Sequence, residues 1–373
     1  MHAPGPLAGA AGQGDGHAGA TVLLESRGPV SVILFNHLIT LEPLGLLHGS
    51  SGRFLSAENL TGRTAEHFPP DSPAFSGLIS AHIPREAGQH LELFTAGPFW
   101  VSLDQPTDPY LPAPLNLIRD KKSGEAIRLE WCEHPEPGWH PPAGAAVPRK
   151  PVSGGWIPLS RWTDQDPRSI LAAPWCAVPH LHPRLQSGQR VSAMEDALFL
   201  EYGMAIDTGF ALAYLSSHTI PSGTYRFGGE GHLVNLEVHG VPEVLESLLK
   251  RNLHGTFSLV TPGVWGSNRL SQREPLLGQY YPWRQHGKAA PAVLTDRPRP
   301  WRYRLGSGRP EVGGSRLSRG RWALPAGSCY HLRDGASLPA WPHWNPEWFP
   351  NDRLSLKHFG TGLALPLSEA DSS

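Results

Sequence analysis

The sequence predicts an α+β protein built from two split βαβ units with long insertions. Two observations predict this class. Strand-like apolar segments and helical segments follow the order strand, helix, strand, strand near the amino end, and strand, helix, strand in the second half. In addition, glycine and proline supply 41 and 39 of the 373 residues, so much of the chain must be loop.

The amino-terminal residues 1–28 have neither the basic nor the apolar region of a secretory signal, and we expect a disordered tail there. The first domain is expected over residues 29–215. Its first element is a buried strand over 30–41, rich in Val, Ile, Leu and Phe, which stops sharply at Glu42 and Pro43.

A short helix is predicted to follow, with Ser72 as its N-cap and Pro73 at the first helical position. Short strands are expected at 91–94 and 99–103. Residues from about 104 to 183 are dominated by Pro, Trp and Gly without a sustained period. This stretch predicts a long insertion holding few regular elements.

Regular structure is predicted to resume with a hairpin formed by residues 197–206 and 209–215. The second domain is expected over 216–373, with a basic insertion at about 265–320. Its helix is predicted over 242–253, because acidic residues occupy its first turn and basic residues its last. The strands predicted for this domain are 232–238, 256–260, 321–324 and 329–332.

The cysteines and the hydropathy pattern limit the classes of function. The three cysteines are far apart, without a Cys-x-x-Cys pair, which favours a reducing, cytoplasmic compartment and argues against disulfides and a zinc site. No stretch reaches the roughly 18 apolar residues of a membrane helix. We therefore expect a cytoplasmic protein with no membrane contact, no metal and no cofactor.

Positive charge is concentrated in one part of a chain whose net charge is −1. Residues 251–321 contain 13 Lys and Arg side chains against three acidic ones, and 12 of the 13 are Arg. Trp and Tyr residues are interleaved with them. Arginine forks and aromatic rings are typical of a groove for single-stranded nucleic acid. The alternative is a basic face that meets an acidic partner protein.

Catalytic motifs are missing from the sequence. There is no G-x-S-x-G motif and no cysteine in a known nucleophile context, so no catalytic residue is predicted. The glycine turn at 228–231 leads into a strand, whereas a dinucleotide site would need its glycines to open a helix. Such a turn instead lets a partner approach the backbone closely.

Several short motifs carry a family resemblance through their order and spacing. They are HLITLEPL at 37–44, GRFL at 52–55, FPP at 68–70, SGL at 76–78, AGPF at 96–99, FGGEG at 227–231, VTP at 260–262, PAGS at 325–328 and GTG at 360–362. Together they resemble the third-subunit family of the type III-B CRISPR Cmr complex, within the RAMP superfamily. The resemblance extends from about residue 33 to 366.

This resemblance implies a pair of ferredoxin-like, RRM-like domains without a catalytic site. It also implies an antiviral ribonucleoprotein in which the subunit holds the 5′ handle of the guide RNA. The implied protein partners are the large cyclase/polymerase-like subunit and backbone RAMP subunits. One departure is that residues 363–367 (LALPL) follow the carboxy-terminal G-x-G, where the superfamily usually has a further glycine.

We expect RNA contacts from glycine turns and from arginines of the basic segment, with Trp265 and Tyr303 stacking on unpaired bases. The first-rank residues are Gly228, Gly229, Gly231, Asn268, Arg269, Arg302, Arg304, Arg316, Arg319 and Arg321. The further candidates are His180, His182, Arg184, Arg190, Gly360 and Gly362.

Three rival functions remain open from the sequence. One is a RAMP-type endoribonuclease that processes precursor guide RNA with a histidine base. Another is a glycan-binding protein that uses its 13 tryptophans, including the run over 341–349. The last is a purely structural adaptor.

Overall fold

Strands dominate the regular structure. The computed structural model describes residues 34–47, 68–84, 91–148, 152, 154–183, 198–228, 231–265, 272–284, 289–305 and 316–367. As far as residue 216, the helix and strands are β1 (His37–Pro43), α1 (Ser72–His82), β2 (Thr95–Ser102), β3 (Gln105–Pro112), β4 (Leu117–Arg119), β5 (Ala126–Arg128), β6 (Glu130–Cys132), β7 (Gly138–His140), β8 (Trp156–Pro158), β9 (Trp175–Pro183), β10 (Leu198–Ile206) and β11 (Phe210–Ser216).

The remaining part of the chain adds one helix and twelve strands among the described residues. They are β12 (Gly223–Phe227), β13 (His232–Gly240), α2 (Glu243–Lys250), β14 (Leu253–His254), β15 (Thr256–Leu259), β16 (Ala292–Leu294), β17 (Arg299–Trp301), β18 (Arg304–Leu305), β19 (Arg316–Leu317), β20 (Arg321–Ala323), β21 (Cys329–His331), β22 (Ser337–Leu338) and β23 (Ala364–Pro366). Short 3-10 helices lie at Leu159–Arg161, Pro167–Ser169, Trp341–His343, Pro346–Trp348 and Leu356–Phe359. Neither helix is long and apolar enough to cross a membrane within the described ranges.

The largest sheet has seven strands in the order β12-β13-β1-β11-β2-β3-β8, and every neighbouring pair is antiparallel. Strands β1 and β2 both pair with β11, which lies between them. They therefore run parallel to each other and are joined through α1, which is a split βαβ arrangement. Helix α1 begins at Ser72 and its N-cap is Asp71, so the predicted N-cap at Ser72 was wrong by one residue.

A second sheet has four strands in the order β16-β21-β15-β23. Strand β13 belongs to the seven-stranded sheet and β15 to this one, with α2 between them in the chain. The predicted second strand–helix–strand unit is thus divided between two sheets, and the predicted boundary at 215/216 falls inside the larger sheet. The α+β class is confirmed, while the described residues form one split βαβ arrangement rather than two.

The insertion expected at 104–183 holds more regular structure than predicted. It contains strands β3 to β9, of which β4 pairs with β5 and β6 with β7 in short hairpins. Three-residue strands are too short to show an alternating pattern in a sequence. The predicted hairpin of 197–206 with 209–215 was also wrong, because β10 pairs with β9 and β11 pairs with β1 and β2.

Apolar side chains pack on both faces of the larger sheet. On one face α1 covers the strands, and the rings of Phe75 and Tyr214 stack with centroids 4.5 Å apart. On the other face a larger core continues into the second sheet and includes Phe257, Trp283 and Trp341. All 13 tryptophans lie in described residues, and each is buried or half-buried. None of the 13 is fully exposed, so the glycan hypothesis would depend on the half-buried ones.

Candidate nucleic-acid interface

Two antiparallel ribbons bring the arginines of the basic segment together. Strand β17 pairs with β20, and β18 pairs with β19. Five of the arginines predicted to contact RNA lie on these strands or in the turns beside them. They are Arg302, Arg304, Arg316, Arg319 and Arg321.

A cavity of about 750 Å³ opens between these ribbons and the turn at 351–354, and we call it the arginine groove. Its lining residues are Arg302, Leu305, Leu317, Ser318, Arg319, Asp352 and Arg353. The side chains of Arg319 and Arg353 are exposed and that of Arg302 is half-buried. The Arg302 Nε donates to the Ser318 carbonyl at 2.9 Å, which fixes the direction of the guanidinium.

Arg321 does not line the groove and differs in this from Arg302 and Arg319, which do. Its side chain is 3% exposed and pairs with Asp352, with Nη1–Oδ2 and Nη2–Oδ1 distances of 2.5 and 2.8 Å. The predicted phosphate contact for Arg321 is therefore replaced by an internal ion pair. Because Arg321 neutralises the Asp352 carboxylate, the three arginines of the lining, Arg302, Arg319 and Arg353, give the groove a net charge of +3.

Arg353 was not found by the sequence analysis. It lies 32 positions beyond Arg321, outside the basic segment, and its backbone φ is +79°. A non-glycine residue in this region costs roughly 1–3 kcal/mol and persists where the surroundings enforce it. Here Asp352 N donates to the Leu354 carbonyl at 3.1 Å, and Asn351 and Ser355 form a β-bridge. The only sequence signal was the turn-forming pair Asn351 and Asp352.

The two aromatic residues predicted to stack on bases are buried. Tyr303 is 9% exposed, with its ring centroid 5.3 Å from that of Trp301 and 5.0 Å from that of Phe359. Burial raises the pKa of Tyr303, and the nearby Asp352 carboxylate adds to that rise. Trp265 is 7% exposed and packs edge-on against Trp283. Both rings therefore support the fold, and surface stacking by them was a wrong expectation.

The carboxy-terminal glycine motif also lies in the interior. Gly360 and Gly362 are buried and have φ values of +63° and +65°. A Cβ on Gly360 would lie 2.4 Å from the Ala96 Cβ, and one on Gly362 would lie 2.8 Å from the Trp265 ring. These glycines are required for close packing against β2 and Trp265, and neither faces the arginine groove surface.

The other predicted glycine turn joins β12 to β13 at the edge of the larger sheet. Gly228 is exposed with a φ of +79°, and Gly231 has a φ of +65°. The Arg226 Nη1 donates to the Gly231 carbonyl at 3.4 Å. This turn belongs to the seven-stranded sheet and the arginine groove to two separate ribbons, and neither Gly228 nor Gly231 lines the groove.

Eight predicted contacts lie outside the described residues or at positions where the backbone alone is described. Gly229, Asn268, Arg269, Arg184 and Arg190 lie outside the described residues. For three further candidates only the backbone is described, with His180 and His182 in β9 and Arg316 in β19. Among the described residues, no group of three or more His, Cys, Asp or Glu side chains is arranged to hold a metal ion.

Comparisons with known proteins give one family. The family described as CRISPR-associated protein (Cas_Cmr3) matches residues 57–368, a range that includes the whole arginine groove. A chain of the type III-B Cmr-beta bound to cognate target RNA and AMPPnP, state 1, solved by cryo-EM, matches with a TM-score of 0.42 and 10% identity, over 79% of this chain and 86% of that chain. A chain of Cmr-beta bound to cognate target RNA matches with a TM-score of 0.41, 10% identity and the same two coverages. No curated protein sequence matches significantly.

Proposed function

Because the chain belongs to the Cas_Cmr3 family of CRISPR-associated proteins, we propose that it is an RNA-binding subunit of a type III-B CRISPR (Cmr) effector ribonucleoprotein. In this proposal the subunit holds the 5′ handle of the guide RNA and carries no catalytic site. Its protein partners are the large cyclase/polymerase-like subunit and backbone RAMP subunits. The complex acts in the cytoplasm, in agreement with the sparse, unpaired cysteines.

The arginine groove is the observation that supports this function. Its exposed Arg319 and Arg353 present guanidinium groups from two separate elements on one cavity, which Arg302 also lines. Guanidinium groups bind phosphate oxygens through paired hydrogen bonds, and a line of them can follow a single RNA strand. The buried Arg321–Asp352 pair holds the turn that carries Arg353 in place. A guide-RNA backbone is therefore the ligand that best fits the groove.

The groove can be tested by the salt dependence of RNA binding. The full-length chain would be titrated with a fluorescent handle RNA at several salt concentrations, with Arg319→Ala/Arg353→Ala compared with the wild type. Two lost phosphate contacts should reduce the slope of log K against log salt by about 1.4, at roughly 0.7 per contact for a single strand. We expect an affinity at least tenfold lower at physiological salt.

The control variant removes the same number of positive charges as the groove variant, from residues outside the groove. Arg161→Ala/Arg168→Ala also removes two exposed arginines, and neither residue lines the groove. This variant should keep the wild-type salt slope. If the groove variant keeps its RNA affinity and slope but fails to assemble with the large subunit, the groove is a protein interface, and RNA binding there is rejected.

A further inference from the structure

A second cavity, of about 450 Å³, lies at residues that the proposed function does not use, and we call it the indole pocket. Its lining residues include Arg128, Glu130, Trp131, Trp139, Gln165 and His331. None of these lines the arginine groove. The pocket therefore requires its own explanation.

Its aromatic wall is built by a hairpin of the insertion and by a strand of the second sheet. Trp131 on β6 lies directly opposite Trp139 on β7, and their rings meet edge to face with centroids 5.9 Å apart. His331 on β21 stacks against Trp131 at 5.5 Å with an interplanar angle of 21°. Both tryptophans are half-buried, and both line the cavity.

The Trp131 ring is held in position by hydrogen bonds behind it. Its Nε1 donates to the Glu133 Oε1 at 2.9 Å, and Arg333 donates to both oxygens of the same carboxylate at 3.2 and 3.1 Å. The Arg333 guanidinium also lies 5.7 Å from the Trp131 ring centroid. A ring fixed before binding loses little conformational entropy when a ligand stacks on it.

The remaining wall supplies polar groups. Gln165 is 5% exposed, its Nε2 donates to the Trp162 carbonyl, and its Oε1 is a buried acceptor without a hydrogen-bond partner within the described residues. A buried acceptor without a hydrogen bond lowers the stability of the folded protein by about 1–3 kcal/mol, and a bound ligand that donates to it would recover this loss. Arg128 and Glu130 form an ion pair at the exposed rim of the same cavity.

We propose that the indole pocket binds a planar nucleobase, taken either from an unpaired position of an RNA or from a free nucleotide. Stacking on aromatic side chains contributes about 1–3 kcal/mol per base. Base edges carry N–H donors and ring acceptors that match an amide such as Gln165 and a guanidinium such as Arg128. The cavity volume also lies within the usual range of roughly 300–1,000 Å³ for small-molecule sites.

The most direct test is fluorine NMR of the full-length chain labelled with 5-fluorotryptophan. The variants Trp131→Phe and Trp139→Phe identify the two resonances of the pocket. The probes are AMP, ribose 5-phosphate and a short single-stranded RNA. We expect both resonances to shift saturably with AMP or with the RNA, and not with ribose 5-phosphate. A shift with AMP assigns a free-nucleotide site, and a shift with the RNA alone assigns an unpaired base of a strand.

Two results would overturn the inference. One is no response of either resonance to AMP and RNA; the other is an equal response to ribose 5-phosphate, which would indicate a sugar or anion site. Affinity adds a second readout, since Trp139→Leu should weaken binding of the responding probe at least fivefold. The control Trp348→Leu changes a half-buried tryptophan that does not line the pocket and should leave that affinity unchanged.

The RNA outcome rests on the proposed function, but the two can fail separately. If RNA binding depends on Arg319 and Arg353 while the pocket resonances do not respond, the nucleobase inference fails and the proposed function stands. If the pocket responds to AMP while the groove variants bind RNA normally, the proposed role of the groove fails and the pocket stands.

Discussion

Arg321 and Asp352 join β20 to the turn that carries Arg353, through two guanidinium–carboxylate contacts of 2.5 and 2.8 Å. The Arg321 Nη1 also lies 3.2 Å from the Arg319 carbonyl, to which it donates. The two exposed arginines of the groove are thus both connected to one buried arginine. Through this pair the geometry of the groove depends on a contact that does not face solvent.

Removing one partner of this pair should be more harmful than removing both. Asp352→Leu leaves a guanidinium that is 3% exposed without its carboxylate, and we expect the free energy of unfolding to fall by about 3 kcal/mol. The double variant Arg321→Met/Asp352→Leu should lose less than the single one. Urea unfolding of the four proteins in the cycle measures the coupling. Additive losses would show that the pair does not couple.

Gly360→Ala should destabilise the protein far beyond the ordinary cost of a left-handed residue. Its Cβ would lie 2.4 Å from the Ala96 Cβ and 2.6 Å from the Thr95 carbonyl oxygen, at a φ of +63°. Gly335 has the same φ, but a Cβ there would meet no atom within 4 Å, so Gly335→Ala is a matched control. We expect a loss of about 1 kcal/mol for the control and more than about 3 kcal/mol for Gly360→Ala.

Thermal and urea unfolding would compare these two glycine variants. Equal losses would mean that the strand at Ala96 yields to accommodate the methyl group. The carboxy-terminal G-x-G would then be a turn with space around it, and close packing would not explain its glycines.

Lys357 should make stability depend on pH in the alkaline range. Its side chain is 4% exposed, and its Nζ donates to the Pro342 and Trp344 carbonyls. Burial lowers the pKa of Lys357 to about 8 from an ordinary value of 10.5. Between these two values the unfolded chain binds more protons than the folded protein, so stability should rise as the pH increases through this window.

The measurement is the free energy of unfolding at pH 7, 8, 9 and 10 for the wild type and for Lys357→Met. We expect the difference between the two proteins to move in favour of the wild type by about 1–3 kcal/mol from pH 8 to 10. A difference that does not change with pH would show that the buried ammonium keeps its ordinary pKa, held by the two carbonyls.

The purified subunit should not cleave RNA. Labelled precursor guide RNA and target RNA would be incubated with the full-length chain, with and without divalent metal, and resolved on a denaturing gel. Saturable cleavage at one position that a single histidine substitution abolishes would contradict the proposal, and would favour the RAMP-type endoribonuclease instead.

Local signals in the sequence predicted the parts of the fold that depend on neighbouring residues. Pro73 and the charges at the ends of α2 placed both helices within a few residues of their observed limits. Pairing between distant segments could not be predicted, because β10 and β11 are neighbours in the chain but join different sheets. The three-residue strands of the insertion are too short to show a periodic pattern. They are defined by their pairing with other strands, which the sequence does not show.

In the candidate site too, local features could be predicted from the sequence, and features that depend on distant contacts could not. The density of arginines at 251–321 predicted the basic character of the groove. It could not separate Arg321, which Asp352 neutralises, from the exposed Arg319. Nor could composition distinguish the buried Trp265 from a surface platform, since burial is set by contacts with Trp283 and Gly362.

The measurement that tests the central proposal most directly is photo-crosslinking in the assembled ribonucleoprotein, with 4-thiouridine placed in the 5′ handle of the guide RNA. The account predicts that the crosslinked peptides of this chain include residues 302, 305, 317–319 or 353, which line the arginine groove. It also predicts that Arg319→Ala/Arg353→Ala reduces these crosslinks while Arg161→Ala/Arg168→Ala does not. Crosslinks of the handle confined to other surfaces, with the groove peptides joined to a protein subunit, would contradict it.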